Sequence, residues 1–233
     1  MVRQAAPKRA PVKPEPVDAA RLATPRLPRR APGKLRFELL VDAVDRLLAE
    51  HDASVISIQD IAEAADVPAP SIYHFFPSTA AAFVALAQRY LSVFQAMYSE
   101  PLNHTALVGW EDIFRAKGGA AVDYFNTNIV SRKLFLGSDY SWQVRLADIQ
   151  SNRTLATHIV GDYDRHFIVA DREALVDKVE IAIGIGDSVW SFSYLHHGYV
   201  TDTYREEAFH AFHAYLRGYI PEYARKRSEA RAG

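Results

Sequence analysis

Two groups of side chains in this 233-residue sequence have types and spacings that could do chemistry. His196, His197, His210 and His213 form the first, and His210 and His213 are neighbours on one helical face, a spacing open to a metal ion. No H-E-x-x-H motif accompanies them, and an H-H-x-x-x-D acyl-transfer pattern fails because residue 201 is Thr. The second group is Ser57, Gln59, Ser71, Tyr73 and His74: hydroxyls, an amide, a phenol and an imidazole gathered in one short stretch. Such groups bond phosphate oxygens and base edges. There is no cysteine, which excludes disulfides, thiolate nucleophiles and Cys-based zinc or iron–sulfur sites. No Gly-rich phosphate loop and no G-x-S-x-G occurs, so a helical enzyme acting on a hydrophobic substrate is the weaker alternative. No metal or other cofactor is expected.

The elements that must position these groups read as helices. Leu40, Ala43, Val44, Leu47 and Leu48 recur at helical spacing, predicting a helix over about 33–50. Ser57 is a good N-cap for a short second helix, with Asp60 in its first turn and Ile58, Ile61, Ala62 and Ala65 facing inward. Ser57 plays this capping part whether or not it also touches DNA. Asp66-Val67-Pro68 is a tight connection, and Pro68 or Pro70 suits the first turn of a third helix, which Pro77 stops. Ser78 caps a long fourth helix, about 79–98. Further helices are predicted over about 109–128, 129–137, 141–167, 171–197 and 203–219, with no convincing strand pattern. Two short helices joined by a tight turn form the helix-turn-helix arrangement.

At this point a resemblance appears. The run from Ser57 to Val67, followed by Ser71-Ile72-Tyr73-His74-Phe75-Phe76-Pro77-Ser78, resembles the N-terminal domain of TetR-family regulators. It departs from the family pattern at Asp66, usually Gly, at Ala69, often Lys, and at Thr79, usually Lys. The resemblance implies an all-α fold with an N-terminal three-helix helix-turn-helix DNA-binding domain and a C-terminal helical domain for ligand binding and dimerisation. The expected boundaries are 1–32 for a disordered basic arm, 33–78 for the DNA-binding domain and 79–233 for the effector and dimer domain. It also implies that Tyr73 bonds a phosphate. Gln59 and His74 are best placed for base edges, Ala69 and Pro70 for thymine methyl groups, and Ser57, Ser71 and Thr79 border the same face.

Charge is unevenly spread. Residues 1–34 carry nine basic side chains against Glu15 and Asp18, and residues 1–32 hold seven of the twelve prolines. Residues 35–90, in contrast, set Arg36, Arg46 and Arg89 against eight acidic side chains. Neutralising phosphates supplies much of the affinity for DNA. The arm, through Arg26, Arg29, Arg30 and Lys34, is therefore expected to follow the DNA backbone or enter the minor groove. A solubility tail is the plainer reading of the same segment.

In the remaining two thirds, aromatic side chains concentrate at Trp110, Phe114, Tyr124, Phe125, Tyr140, Trp142 and Tyr163. Together with Arg145 they are candidates to line an effector pocket, with Asp148, Gln150 and Asn152 as further polar groups, although each aromatic also fits an ordinary core. By resemblance, Val179, Ile183, Gly186 and Trp190, with Phe209, Phe212 and Leu216, belong to a four-helix dimer interface; packing within the chain is the alternative. The expected partners are a pseudo-palindromic double-stranded DNA operator, a small, largely apolar or aromatic effector, and a second copy of the chain. An activator or a ligand-independent regulator remains the other reading of the same DNA-binding unit. No apolar run is long enough to span a bilayer and no secretory signal follows Met1, so no membrane partner is expected and the cytoplasm is the default compartment.

Overall fold

A computed structural model describes residues 22–137, 141–169 and 171–229. Among them the chain folds as α1 (Ala31–Glu50), α2 (Ile58–Ala64), α3 (Ala69–Ile72), α4 (Thr79–Ser99), α5 (Glu111–Thr127), α6 (Ile129–Leu136), α7 (Trp142–His166), α8 (Arg172–His197) and α9 (Asp202–Leu216). Short 3-10 turns lie at Ala53–Val55 and His104–Ala106. The described residues form no strand; Phe167 and Lys226 make a single antiparallel bridge.

The helix starts follow from their caps. Ser57 accepts from the Asp60 amide at 3.2 Å while Asp60 accepts from the Ser57 amide at 2.8 Å, so the two orphan donors satisfy each other's side chains. Ser78, Asn128, Asp171 and Thr201 cap α4, α6, α8 and α9 in the same manner through one side-chain acceptor each. Helix α8 ends at Gly198, whose φ of 76° is left-handed.

The first three helices pack around Leu40, Val44, Leu48, Ile61, Ile72 and Phe76, all fully buried. Phe37 closes this small core against the rings of Phe75 and Phe76. Helix α4 runs out of that unit into the second, where it packs on α7 and where α8 lies between α7 and α9. One continuous apolar core joins both parts. Polar ties reinforce the α1–α4 contact: Arg89 reaches Glu38 and Asp42, each at 2.6 Å, and the Tyr90 hydroxyl donates to Asp45 at 2.6 Å. Those charges are partly exposed, so the pairing contributes little beyond orientation.

The third helix is shorter than the sequence predicts. Only Ala69–Ile72 is α-helical, and the chain continues to Phe75 as turns. The amides of His74 and Phe75 bond three residues back, to Ser71 and Ile72, which tightens this last turn. Arm residues 1–21 lie outside the described residues, and the part that follows departs from the expected disorder. Ala23 and Pro25 are buried, the Leu22 carbonyl accepts from the Ser78 hydroxyl at 2.7 Å, and the Arg26 amide donates to the Phe75 carbonyl at 2.8 Å. The turn after α3 offers bare carbonyl and hydroxyl groups, and this stretch of backbone satisfies them.

Asp66 has φ of 52°, the left-handed conformation that the tight turn between α2 and α3 requires. A Cβ in that region costs about 1 kcal/mol, less for Asp than for most residues. Asp66→Gly removes that cost but loosens the unfolded chain, so a net gain of about 0.5 kcal/mol is expected in urea denaturation.

Candidate DNA interface and sensor cavities

The turn around Val67 and Pro68 leaves one polar surface open. Gln59, Ala69, Pro70, Tyr73 and His74 are exposed, and Ser57, Ser71 and Thr79 are half-buried at its edge. Gln59 Nε2 donates to the Tyr73 hydroxyl at 3.5 Å, so α2 and the turn after α3 present their side chains together. Arg26 comes to the same place, its guanidinium donating to the Tyr73 carbonyl at 3.4 Å. Arg29, Arg30 and Lys34, at the start of α1, are exposed. The fold thus brings basic side chains of the arm to a surface that α1–α3 leave short of positive charge. Ser57 Oγ accepts the Asp60 amide, which leaves its hydroxyl proton to donate.

The end of α1 is tied to the helical bundle by a polar contact with α6. Lys133 Nζ, on α6, donates to the carbonyls of Leu48 at 2.9 Å and His51 at 3.1 Å. Beside it opens a pocket of about 630 Å³, bordered by Asp52, Ala53, Lys133, Phe135, Leu136, Arg145, Phe192 and Leu195 among others. That volume lies in the range of ordinary small-molecule sites.

A second, smaller cavity of about 30 Å³ lies in the middle of the helical bundle. Its apolar walls include Phe94, Phe125, Leu155, Ile183 and Trp190, and Phe135 and Leu136 separate it from the larger pocket. Its polar side holds Asp148, Asn152 and Asp187. Arg145 pairs with Asp148 at 2.6 Å, and Asn152 Nδ2 donates to Asp187 at 3.1 Å. Burial pushes the Asp187 carboxyl up to about 7, and the neighbouring Asp148 charge adds to the shift. Burial also raises Asp148, to about 6, against the pull of Arg145.

The expected pocket residues divide. Phe125 and Arg145 border the two cavities. Trp110, Phe114 and Tyr163 are spent in the core instead: Trp110 stacks on His213 and meets Tyr163 edge-on, and Phe114 stacks on Phe212 with centroids 3.5 Å apart. Tyr124 is half-buried against Phe94, Trp142 is 66% exposed, and Tyr140 lies outside the described residues. Asp148 and Asn152 reach the cavity while Gln150 is exposed. Asp187 was not singled out in the sequence; its place as the one charged residue in the run 181–195 was the available signal.

The expected interface residues Val179, Ile183, Gly186, Trp190, Phe209, Phe212 and Leu216 are buried within the chain itself. In the single chain they pack against neighbouring helices. The outward stripe of α8 and the turn after it is a different set: Ile181, Ile185, Phe192, Leu195 and Tyr199, with Phe192 58% and Leu195 70% exposed. Their spacing was legible as a second helical face. Of the four histidines, His213 is held by its stack on Trp110, and no group of three potential ligands converges among the described residues.

A helix-turn-helix unit with an open polar face, joined to a helical bundle that contains cavities, defines the class: a DNA-binding regulator of all-helical fold. Residues 40–86 match the family model described as bacterial regulatory proteins, tetR family. The fold is similar to a TetR-family transcriptional regulator from Streptomyces coelicolor, at 23% identity and TM-score 0.55, covering 78% of this chain and 95% of that one. It is also similar to a TetR transcriptional regulator from Rhodococcus sp. RHA1, at 15% identity and TM-score 0.59, with the same coverage. The reduced form of NemR from E. coli aligns at 15% identity and TM-score 0.50, over 76% of this chain and 95% of that one. No curated protein sequence matches significantly. Residues 40–86 thus resemble the DNA-binding domain of that family, and the chain shares the fold of the regulators compared. Among its described residues, no helix is long and apolar enough to cross a membrane.

The Asp187 environment carries a pH signature. Its neighbours across the cavity are Asp148 with Arg145 and Asn152 from α7, and Tyr98 from α4. The folded chain holds a proton on Asp187 up to about pH 7, which the unfolded chain releases near the ordinary value of 3.8. Stability is therefore lost as pH rises between these two values. Asp187→Asn does not titrate and keeps the Asn152 contact. The melting temperature of this variant relative to the parent is expected to rise between about pH 5 and about pH 8, followed by circular dichroism. A constant difference would contradict the assignment.

Proposed function

We propose that the chain is a dimeric transcriptional repressor that a small, largely apolar or aromatic effector releases from its operator. The observation that carries this reading is the Lys133 contact: a ligand-sized pocket lies beside the polar tie between the sensor bundle and the end of α1. An effector that displaces α6 there moves α1, and with it the surface of Gln59, Tyr73 and His74. In a dimer, such a movement changes the spacing of two recognition units that must sit about one helical turn of DNA apart. Effector and operator then weaken each other reciprocally. The protein acts as a binding module rather than an enzyme, at the chromosome in the cytoplasm.

On DNA, Tyr73, Ser57, Ser71 and Thr79 bond phosphates, Gln59 and His74 read base edges, and Ala69 and Pro70 meet thymine methyl groups. Arg26, Arg29, Arg30 and Lys34 supply the charge that α1–α3 lack. The operator is pseudo-palindromic because the dimer is two-fold symmetric. The exposed Ile181, Phe192, Leu195 and Tyr199 make the contact between copies, and because Phe192 and Leu195 also border the pocket, that pocket opens onto the contact.

A gel shift with the DNA upstream of the chain's own coding region tests the reading directly; absence of specific binding there and in a random-sequence selection would overturn it. In the triple variant Arg26→Ala/Arg29→Ala/Arg30→Ala, affinity for that DNA is expected to fall. Its log–log salt dependence should flatten by about 0.9 for each phosphate that the variant no longer neutralises. The double variant Phe192→Glu/Leu195→Glu is expected to sediment as a monomer, because it sets like charges on the proposed contact. An unchanged dimer would place the interface elsewhere.

A further inference from the structure

Asp187 lies on the cavity wall, and the positive charge that acts on it is Arg145, which is already paired with Asp148. The buried Asp162 has Lys117 at 3.3 Å and Arg165 at 3.1 Å, the buried Asp148 has Arg145 at 2.6 Å, and Asp187 is half-buried. No ion pair involves Asp187 among the described residues; its contact is the neutral Asn152 amide. A carboxyl group short of water and without a paired cation is held in its neutral form, and a cation placed beside it would favour the ionised one. Trp190, 4% exposed and lining the same cavity, has an indole N–H without an acceptor. The Asp187 carboxyl and the unpartnered Trp190 indole therefore border one small space, whose walls also hold the rings of Phe94 and Phe125.

The sizes of the two cavities define what fits. About 30 Å³ admits a water-sized group such as a primary ammonium, and not an organic body. The neighbouring pocket of about 630 Å³ has room for such a body. Between them stand Phe135, Leu136 and the Arg145–Asp148 pair, with the Arg145 side chain 43% exposed.

We propose that the effector is a primary amine with an apolar or aromatic body, its ammonium group seated between Asp187 and Asp148 and its body in the pocket beside Lys133. This rests on the sensor reading above and specifies its ligand. The ammonium takes the place of the Arg145 guanidinium at Asp148 and supplies Asp187 with the cation it lacks. The aromatic faces of the cavity favour the same charge.

The test uses the full chain and three probes that share one body: 4-phenylbutylamine, 4-phenylbutanol and 4-phenylbutyrate, titrated by calorimetry near neutral pH. The amine is expected to bind, the alcohol to bind at least about tenfold more weakly and the carboxylate not to bind. Asp187→Asn is expected to weaken the amine by at least about tenfold and to leave the alcohol unchanged. Should that variant not fold, Asp148→Asn and the N,N,N-trimethyl form of the amine serve instead; the bulkier head is expected to be rejected. Equal binding of amine and alcohol, no binding of the amine, or an Asp187→Asn chain that binds the amine as before would overturn the proposal. Gel shifts separate the two readings. A chain that shifts its operator but fails the amine series remains a regulator without this ligand class. A chain that binds the amine and no DNA keeps the ammonium site and loses the regulator reading.

Discussion

The carbonyls at the end of α1 are the point on which the two halves of the molecule depend. A helix leaves its last carbonyls without intrahelical donors, and water or a side chain must supply them. Here a single ammonium, Lys133 on α6, serves two of them. A cation at a helix C-terminus is also favoured by the dipole. The continuous apolar core makes the junction tight, but apolar contact has little direction. The lysine supplies direction, fixing where α6 sits relative to α1 and so where the turn after α3 points.

Burial of charge follows one rule in the bundle and departs from it at one place. Lys117, 3% exposed, bridges from α5 to the end of α4, donating to the carbonyls of Tyr98 and Glu100, and it faces Asp162 on α7. Every part of that network answers another part. The central cavity is different, since Arg145 alone faces the two carboxyl groups of Asp148 and Asp187. Two carboxyl groups that share one guanidinium concentrate electrostatic demand where a ligand could meet it.

The DNA-facing surface shows a comparable division of labour. Helices α1–α3 provide shape and hydrogen-bonding groups but carry more acid than base, and the segment before α1 carries the positive charge. Because Leu22 and Arg26 hold to Ser78 and Phe75 through backbone groups, the Arg26 guanidinium is delivered beside Tyr73. Asp66 marks a further economy: the left-handed turn is made without glycine, at the expense of some backbone strain.

Helix positions were legible in the sequence because caps and period are local. Ser57, Ser78 and the 3.6-residue spacing of Leu40, Val44 and Leu48 specify where helices begin and which face turns inward, and the motif from Ser57 to Ser78 holds the polar side chains that share the exposed surface around Tyr73. What the tertiary structure alone decided is which neighbour each apolar face meets. Helix α8 has two apolar faces, and period cannot say that Val179, Ile183 and Trp190 turn into the chain while Phe192 and Leu195 turn out. Nor can it say that Trp110, Phe114 and Tyr163 are consumed by stacking while Phe94 and Asp187 border a cavity. Local preference is a property of a few consecutive residues, whereas a cavity or a guanidinium shared by two acids exists only between helices distant in sequence.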